Sequence, residues 1–420
     1  MRYIKTLLIS LTIMFMNFSF SQAKETLALK DFLNKVYKNN HDLVVARQEL
    51  TKEEYKLNVA RAARYPSISA SGSYGQSGNY ADRNSDSKSL GLSVRQTLYA
   101  GGTISAEIKE TKFNLEIKQE EYKKTQQQIF LAAKEIFYKV LQEMASIELI
   151  NKVVERRREN MVLIRLKYKS GCESFASLSQ AEADFLASEF DKKNSYEKLR
   201  LAKTELNLMI GEEASVDLAI QEEDSLVTFP EYQASVSQAY HLRSEIKQAE
   251  LKEELLKLQV AKIKSEYWPN LSCSASHGFS GEDNIFAEKS WRVGVDLSVP
   301  LFKGFTTPNK LKQAELDLDI QKQKKIQLKK EINLEVDQAY TNYLLSKEKK
   351  AVVLKSLQAM QDIFKITKLS YKQGKTSYFN LQNYEYDLTK AENSCIEAHY
   401  NYLIAAARLL AAIGIQEETN

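Results

Sequence analysis

Cysteine is scarce in this sequence, and long apolar runs are missing after residue 23. The three cysteines, Cys172, Cys273 and Cys395, are odd in number and far apart, which excludes a disulfide framework and a cysteine-based metal site. No run of about eighteen apolar residues follows the N-terminal region, so no helix is predicted to cross a membrane. The net charge is only +4, which gives no reason to expect nucleic acid as a partner.

The N-terminus has the pattern of an export signal. Arg2 and Lys5 precede an apolar run over residues 7–20, and Ser21 and Ala23 place small residues before a cleavage site. This pattern predicts a secretory signal peptide over residues 1–23. An exported chain without a membrane-crossing helix is free in the periplasm, secreted, or inserted in a membrane as a β-barrel.

Glycine and proline are also few, and their positions divide the chain. Ten of the 14 glycines lie in two short windows, residues 66–102 and 269–304. Six long stretches contain neither glycine nor proline and are rich in strong helix formers. These stretches are residues 24–65, 103–170, 172–210, 231–268, 309–373 and 375–413. Two of them predict helices roughly 100 Å long at about 1.5 Å per residue.

The chain contains one structural unit twice. "YKSGCESF" begins at Tyr168, and "YKQGKTSY" begins 203 residues later, at Tyr371. The same offset relates Tyr65 to Trp268 and Gly211 to Gly414. A register that holds from about residue 29 to residue 211 indicates a duplicated half-chain rather than a chance motif.

The two glycine-rich windows alternate between apolar and polar residues with a period of two. In the second window, for example, Trp291, Val293 and Val295 alternate with Arg292 and Gly294. Runs of about ten residues with one apolar face are typical of transmembrane β-strands, which turn that face to lipid. Alternation alone is also compatible with a soluble sandwich or hairpin pair. The polar residues predicted to face a barrel lumen are Arg95, Arg292 and Asp296.

Four strands cannot close a membrane barrel, because the smallest has about eight. An open sheet edge is not tolerated in lipid, so the chain is predicted to oligomerise. Three copies would supply twelve strands, and two or four copies are the arithmetic alternatives.

The predicted fold is mainly α with a membrane β-barrel portion, built from an internally duplicated chain with long α-helical hairpins. The first repeat spans residues 24–211, the linker 212–230, the second repeat 231–414 and a tail 415–420. The predicted elements are helices within 28–64, strands 66–77 and 88–99, helices 103–168 and 174–210, then helix 234–267, strands 269–280 and 290–302, and helices 308–371 and 377–413.

These features together resemble the TolC-type outer-membrane efflux proteins. The motifs that carry the resemblance are "YPSISASGSYG" and "WPNLSCSASHG" entering the strands, "QTLYAGG" and "VPLFKGF" leaving them, and the two turns "YKSG" and "YKQG". The resemblance implies a homotrimer in the outer membrane, with a twelve-stranded barrel that continues into a periplasmic α-helical barrel. It also implies a periplasmic adaptor (a membrane fusion protein) and an inner-membrane transporter as partners.

The resemblance also assigns the two YK-x-G turns to the periplasmic tip, where the adaptor binds and the entrance opens. The implied adaptor-contacting residues are Tyr168, Lys169, Gly171, Tyr371, Lys372 and Gly374. Tyr371 matches a family position that holds the entrance shut by hydrogen bonding. Family members can narrow the entrance with aspartates at positions that hold Asn380 and Asn383 here, so the constriction is expected to be polar and weakly charged.

The function that the resemblance implies is a passive export duct, and two other function classes are the alternatives. An enzyme is disfavoured because the four histidines are scattered and no phosphate loop or nucleophile–base pair is present, so no catalytic residue, metal or cofactor is predicted. A periplasmic coiled-coil adaptor has similar helical hairpins. It would have one hairpin flanked by soluble β-domains, whereas here each long helix is joined to a strand pair with a lipid-type pattern.

Overall fold

The computed structural model describes residues 26–79, 82–212, 219–220 and 229–415. The predicted signal peptide, most of the predicted linker 212–230 and nearly all of the predicted tail 415–420 lie outside the described residues.

The first repeat contains two short helices, a strand pair and a long helical hairpin, preceded by a two-residue strand. In chain order these are β1 (Thr26–Leu27), α1 (Leu29–Asn39), α2 (His41–Ala62), β2 (Ser67–Asn79), β3 (Asp82–Ala100), α3 (Thr103–Lys169) and α4 (Phe175–Met209). A second two-residue strand, β4 (Ala219–Ile220), follows and pairs in parallel with β1.

The second repeat has the same order of elements. They are α5 (Tyr232–Leu242), α6 (Ser244–Ser265), β5 (Asn270–Gly281), β6 (Glu288–Ser298), α7 (Thr306–Lys372) and α8 (Tyr378–Ile413). The long helices α3 and α7 each contain 67 residues, which corresponds to about 100 Å. The duplicated architecture predicted from the 203-residue offset is therefore present.

The long helices pack side by side in a single row. Helices α2 and α4 contact one side of α3, α6 and α8 contact its other side, and α7 packs beyond them. Long helices with a narrow apolar seam need such neighbours along their whole length. Within the described residues, buried apolar side chains form one large cluster at mid-height, which includes Phe32 and Phe137, and another near the tip, which includes Ile164 and Tyr371.

The prediction of a single helix over 234–267 was wrong, and the helical stretch predicted over 28–64 contains two helices. The backbone is extended at Asn40 and at Arg243, so each stretch is divided into two helices. Asn40 caps the second helix, because its side chain accepts hydrogen bonds from the N–H groups of Asp42 and Leu43. Neither break contains a glycine or a proline, so the composition gave no signal for it.

The two breaks lie beside the C-terminal ends of the hairpin helices α4 and α8. Asn40 donates from Nδ2 to the carbonyl oxygen of Met209, near the end of α4, at 3.0 Å. Arg243, its equivalent 203 residues later, donates from Nη1 to the carbonyl oxygen of Ala412 at 3.2 Å. Each side chain therefore satisfies a carbonyl that the helix end leaves free.

The four longer strands form one antiparallel sheet with the order β2-β3-β5-β6. The predicted strand 290–302 ends earlier, at Ser298, because Pro300 cannot donate a ladder hydrogen bond. The predicted strand 88–99 begins earlier, at Asp82, because the hairpin pairing continues to Asn79. Strands β2 and β6 are the two edges of this sheet.

Candidate functional site

The two tip turns reverse the chain through a glycine in the left-handed region. Gly171 has φ +73° and Gly374 has φ +74°, and a Cβ added to either would meet no atom within 4 Å. In the first turn the N–H of Cys172 donates to the carbonyl of Lys167, and in the second Lys375 donates to Ser370. These bonds are the C-terminal capping pattern that a left-handed glycine permits.

Serine side chains begin the helices that follow the tip turns. Ser174 Oγ accepts a hydrogen bond from the N–H of Ser177 at 3.1 Å. Ser377 Oγ accepts one from the N–H of Asn380 at 3.4 Å. Both are N-caps of the expected type. The tip turns are therefore defined locally by one glycine and one serine each.

Tyr371 is held between the two hairpins at the tip. Its side chain is 1% exposed, and its hydroxyl donates to Glu173 Oε2 at 2.7 Å. Lys167 Nζ donates to the carbonyl oxygen of Tyr371 at 2.8 Å and lies 4.1 Å from the centre of the tyrosine ring. Burial, followed by the nearby Glu173 carboxylate, raises the pKa of Tyr371 above its ordinary value. We name Lys167, Glu173 and Tyr371 the tip clamp.

Asp184 makes a second link between the hairpins above the tip clamp. Its Oδ2 accepts hydrogen bonds from Gln382 Nε2 at 2.6 Å and from the Tyr378 hydroxyl at 3.4 Å. Its Oδ1 accepts from Gln180 Nε2 at 2.9 Å. The Asp184 carboxylate therefore contacts two side chains of α8.

A half-buried ion pair links α3 to α8 further from the tip. Arg156 contacts Glu392 through two hydrogen bonds, at 2.9 and 2.7 Å, and donates to Thr389 Oγ1 at 3.1 Å. A two-pronged contact between a guanidinium and a carboxylate is the strong form of this interaction. This pair therefore fixes the two hairpins in register.

Glu385 is a buried carboxylate with incomplete hydrogen bonding. It is 6% exposed, Asn160 Nδ2 donates to its Oε2 at 2.5 Å, and its Oε1 has no hydrogen-bond partner among the described residues. Burial raises the pKa of Glu385, and the opposing attraction of Arg156 and Arg157 does not cancel this effect. Ionisation of Glu385 therefore destabilises the folded protein.

Replacement of Glu385 by glutamine should stabilise the protein at neutral pH. A carboxyl whose folded pKa is raised binds its proton more tightly in the folded state, so stability falls as pH rises from about 4.5 through the raised value. Glutamine removes this loss and keeps an acceptor for Asn160. The apparent Tm of the detergent-solubilised Glu385→Gln variant should exceed that of the unmodified protein at pH 8, with a smaller difference at pH 5.

Glu392→Gln is the matched control for that experiment. It removes a charge that is paired with Arg156, so its apparent Tm should fall at pH 8. If Glu385→Gln lowered the apparent Tm equally at both pH values, the claim that the buried Glu385 charge destabilises the folded protein would be contradicted.

The other predicted tip residues are exposed to solvent. Lys169, Lys372 and Asn383 are on the surface, and Asn380 Nδ2 donates to Thr376 Oγ1 at 3.1 Å. Tyr168 is 40% exposed and stacks on Phe175, with 6.0 Å between the ring centres. The structure therefore brings Tyr371 into a hydrogen-bonded site and leaves its equivalent Tyr168 outside one.

Sequence reasoning did not identify Lys167, Glu173, Asp184 and Glu385. A signal for two of them was present, because the 203-residue offset aligns Lys167 with Ser370 and Glu173 with Thr376. Two repeats that differ in charge at otherwise similar turns indicate that one turn has a contact that the other lacks. No comparable signal identified Glu385, because its partners come from another helix.

The sheet separates apolar and polar side chains onto opposite faces. One row across the sheet joins Ile68, Val94, Ala275 and Val293, and the next row on that face includes Leu92 and Trp291. Trp291 is 78% exposed and Val293 is 71% exposed. A continuous apolar face of this kind is a surface for lipid or a partner, not for water.

The polar face carries hydroxyl pairs and the three charged residues predicted for a lumen. Ser69 and Ser93 are hydrogen-bonded at 2.8 Å, and Ser73 and Ser89 at 2.7 Å. The register places Arg95 beside Ser67 and Ser274, Arg292 beside Ser276, and Asp296 beside Ser272. The three charged side chains are exposed.

Aromatic side chains lie at both ends of the apolar face. Trp268, Tyr99 and Phe302 lie at the end nearest the helices, and Phe279 and Phe286 pack together at the other end, with 5.2 Å between their rings. Along β5 the nine residues from Leu271 to Phe279 span about 26 Å, which is close to the height of the apolar band of a membrane barrel.

None of the helices in the described ranges is both long enough and apolar enough to span a membrane. The described part of the chain has no group of three or more His, Cys, Asp and Glu side chains arranged to hold a metal ion. Cys172 is exposed and Cys273 and Cys395 are half-buried, and all three are free thiols.

Comparison with known proteins places this geometry in one family. The model of the outer membrane efflux protein family matches residues 32–212 and again residues 235–415. Outer membrane protein TolC of Vibrio cholerae is 21% identical, over 93% of this chain and 91% of the relative. The alkaline protease secretion protein AprF of Pseudomonas aeruginosa is 24% identical, over 94% of this chain and 86% of the relative. The crystal structure of VceC, an outer membrane protein of Vibrio cholerae, superposes with a TM-score of 0.77 at 18% identity, over 92% of this chain and 96% of VceC.

Proposed function

The chain belongs to the outer membrane efflux protein family, and on that premise we propose that it forms the outer-membrane duct of a tripartite efflux or type I secretion system. The duct is passive. The energy for transport comes from an inner-membrane transporter, and the duct carries substrate from the periplasm to the exterior.

One observation carries the proposal: a sheet with an apolar outer face continues directly into helices about 100 Å long. Gly101 and Gly102 join β3 to α3, and the backbone between β6 and α7 passes through Gly304 and Phe305, which also have positive φ. The same polypeptide therefore provides a membrane segment and a wall that extends far from the membrane. Such a continuous wall supports a duct better than it supports an adaptor.

The duct requires a homotrimer in this proposal. Strands β2 and β6 are edges that lipid does not tolerate, and pairing β6 of one copy with β2 of the next removes both. This head-to-tail contact closes a ring, and three copies give twelve strands. The two ends of the helix row support the same contact, because Leu186 and Phe190 on α4 and Leu345 and Val352 on α7 are exposed.

The tip turns are the proposed contact for the periplasmic adaptor. Tyr168, Lys169, Gly171, Lys372 and Gly374 lie at the end of the helical row furthest from the sheet. Lys169 and Lys372 are exposed there, so they are available to a partner. Tyr371 is buried, so its proposed role is indirect. Through the tip clamp it holds the α7–α8 hairpin against the α3–α4 hairpin.

Asn380 and Asn383 form the proposed entrance constriction, and both are exposed on one face of α8. Amide side chains carry no net charge, so selectivity for cations at these rings is expected to be weak. Inside the barrel Arg95, Arg292 and Asp296 line the proposed lumen, where charge tunes ion preference.

Removal of the Tyr371 hydroxyl should favour the open entrance. A hydrogen bond to a charged group contributes about 1.5–3 kcal/mol, so its loss in Tyr371→Phe should raise the open fraction about tenfold or more. The measurement is the conductance of purified protein in a planar lipid bilayer. Tyr196→Phe, on the exposed face of α4, is the control and should leave the conductance unchanged.

The same bilayer recording on the unmodified protein tests the proposed function. Discrete conductance steps that need neither ATP nor a partner protein are expected. A chain that stays soluble without detergent and produces no steps would instead support the periplasmic adaptor alternative.

A further inference from the structure

A groove lies along the helical row, far from both the tip turns and the sheet. Its volume is about 670 Å³, and it is lined by α3, α7 and α8 together with Arg243 and Glu245 at the start of α6. The lining residues on α7 run from Glu335 to Lys349, which corresponds to about 21 Å along the helix. The groove is therefore narrow and elongated, with the volume of a small-molecule site. We name it the mid-wall groove.

Basic side chains outnumber acidic ones in the mid-wall groove. The four basic residues are Lys124, Arg243, Lys349 and Arg408, and the two acidic residues are Glu245 and Glu335. Both carboxylates are already bound, because Arg243 contacts Glu245 at 3.1 Å and Glu335 at 2.7 Å. The groove therefore keeps an excess of positive charge, which attracts anions.

Two of the four basic side chains have free hydrogen-bond donors. Lys349 is exposed and makes no hydrogen bond or ion pair with any described residue. Arg408 donates from Nε to Glu135 at 2.7 Å, and its two Nη atoms donate to no group in the described ranges. Hydrogen bonds from an ammonium or a guanidinium to a carboxylate are of the strong, charge-assisted kind. Lys349 and Arg408 are therefore the candidate anion ligands of the groove.

Uncommitted amide side chains and small apolar side chains complete the groove. Gln338, Asn342 and Asn401 line it, and none of the three makes a hydrogen bond with another described residue. Ala398 and Ala405 also line it and are buried. Apolar surface with a few convergent polar groups is the usual composition of a small-molecule site.

The groove lies on a face of the row that α1 and α5 leave open. Ile332 and Val336 of α7 pack against α5, and no residue of α1 or α5 itself lines the groove. The lining residues Gln338 and Asn342 point in another direction from α7.

The proposed trimer places this open face inside the tunnel. Three copies of the row, with four helices side by side in each, form a ring of twelve helices. Helices about 10 Å across enclose a space roughly 28 Å wide in such a ring, and three copies of α1 and α5 would largely fill it. Helices α1 and α5 therefore lie outside the ring, and the groove faces the lumen.

We propose that the mid-wall groove is a lumenal binding site for an elongated organic anion, whose carboxylates contact Lys349 and Arg408 and whose apolar body lies on Ala398 and Ala405. The lumenal position rests on the trimer of the proposed function. The groove itself lies within one chain, so binding and position are tested separately.

Binding of the para,para′-dicarboxylate of trans-stilbene tests the site. This fluorescent rod has a carboxylate at each end, and its anisotropy should rise to saturation as purified protein in a neutral detergent is added. Lys349→Gln should raise the Kd about tenfold or more, as expected for the loss of a hydrogen bond between charged groups, and Lys349→Arg should retain binding. Asn342→Trp should abolish binding, because the indole fills the groove.

Lys347→Gln is the matched control for Lys349→Gln. Lys347 is exposed on the same helix and does not line the groove, so this variant should bind with the Kd of the unmodified protein. The neutral dicarboxamide of trans-stilbene should bind about tenfold more weakly than the dicarboxylate, which separates recognition of charge from partition into detergent. Absence of saturable binding to the unmodified protein would overturn the site, as would equal Kd values in Lys349→Gln and Lys347→Gln.

Biotin labelling tests the lumenal position independently of binding. Asn342→Cys and Gln238→Cys are introduced separately into a background without the native cysteines, and each is labelled with a short biotin maleimide. Gln238 is exposed on α5. Streptavidin is too large to enter the tunnel, so it should retain the intact trimer labelled at position 238 and release the one labelled at position 342. Retention of both would overturn the lumenal position. A chain that is not trimeric would overturn the proposed function and leave the binding result unaffected.

Discussion

Val293→Lys should prevent the protein from assembling in the outer membrane. Val293 is 71% exposed at the middle of β6, in the apolar row that includes Ile68 and Val94. A lysine on the lipid face near the bilayer midplane costs about 2–4 kcal/mol in a membrane barrel, and a trimer incurs this cost three times. The measurement is the amount of trimer recovered from isolated outer membranes, which should fall at least tenfold.

Ser71→Lys is the matched control for this substitution. Ser71 lies on the opposite face of the sheet and pairs with Gly91, which in turn pairs with Gly278. A lysine at position 71 therefore places no charge in lipid and no charge beside another charged side chain. Its trimer should reach the outer membrane at the normal level. Equal loss of trimer in both variants would contradict the assignment of the apolar face to lipid.

Gly374→Val should abolish export while the trimer remains in the membrane. Gly374 has φ +74°, a conformation that a β-branched residue avoids, and no neighbouring atom is within 4 Å of an added Cβ. The effect is therefore one of backbone strain, which removes the Lys375–Ser370 hydrogen bond and moves Tyr371 in the tip clamp. Export measured in cells should fall at least tenfold, with normal amounts of trimer.

Two variants separate the tip role from general strain. Gly102→Val imposes similar strain, because Gly102 has φ +84° and open space around it, but it lies beside the sheet and should preserve export. Gly374→Asn should recover much of the activity, since asparagine tolerates the left-handed region. Full export by Gly374→Val would count against a tip role for this turn.

The sequence predicted the parts of the fold that depend on local preferences. The scarcity of glycine and proline predicted the long helices, and the period-two windows predicted four strands with apolar and polar faces. The breaks at Asn40 and Arg243 were missed because they depend on side-chain bonds to the carbonyls of Met209 and Ala412, which are far away in sequence.

The chemistry of the tip was only partly predictable. The family resemblance indicated Tyr371, but the burial of Tyr371 and not of Tyr168 follows from the packing of one hairpin on the other. The burial of Glu385 has the same origin, because Asn160 and Arg156 come from α3. Side chains that act between repeats are visible only once the repeats are placed in space.

The mass of the detergent-extracted complex, measured by native mass spectrometry, tests the central claim most directly. A duct built from this chain needs twelve strands, so the measured protein mass should be three times that of the mature chain, with detergent required to keep the complex in solution. A monomer that stays soluble without detergent would leave the apolar face and both sheet edges of β2 and β6 exposed to water, and it would contradict the duct.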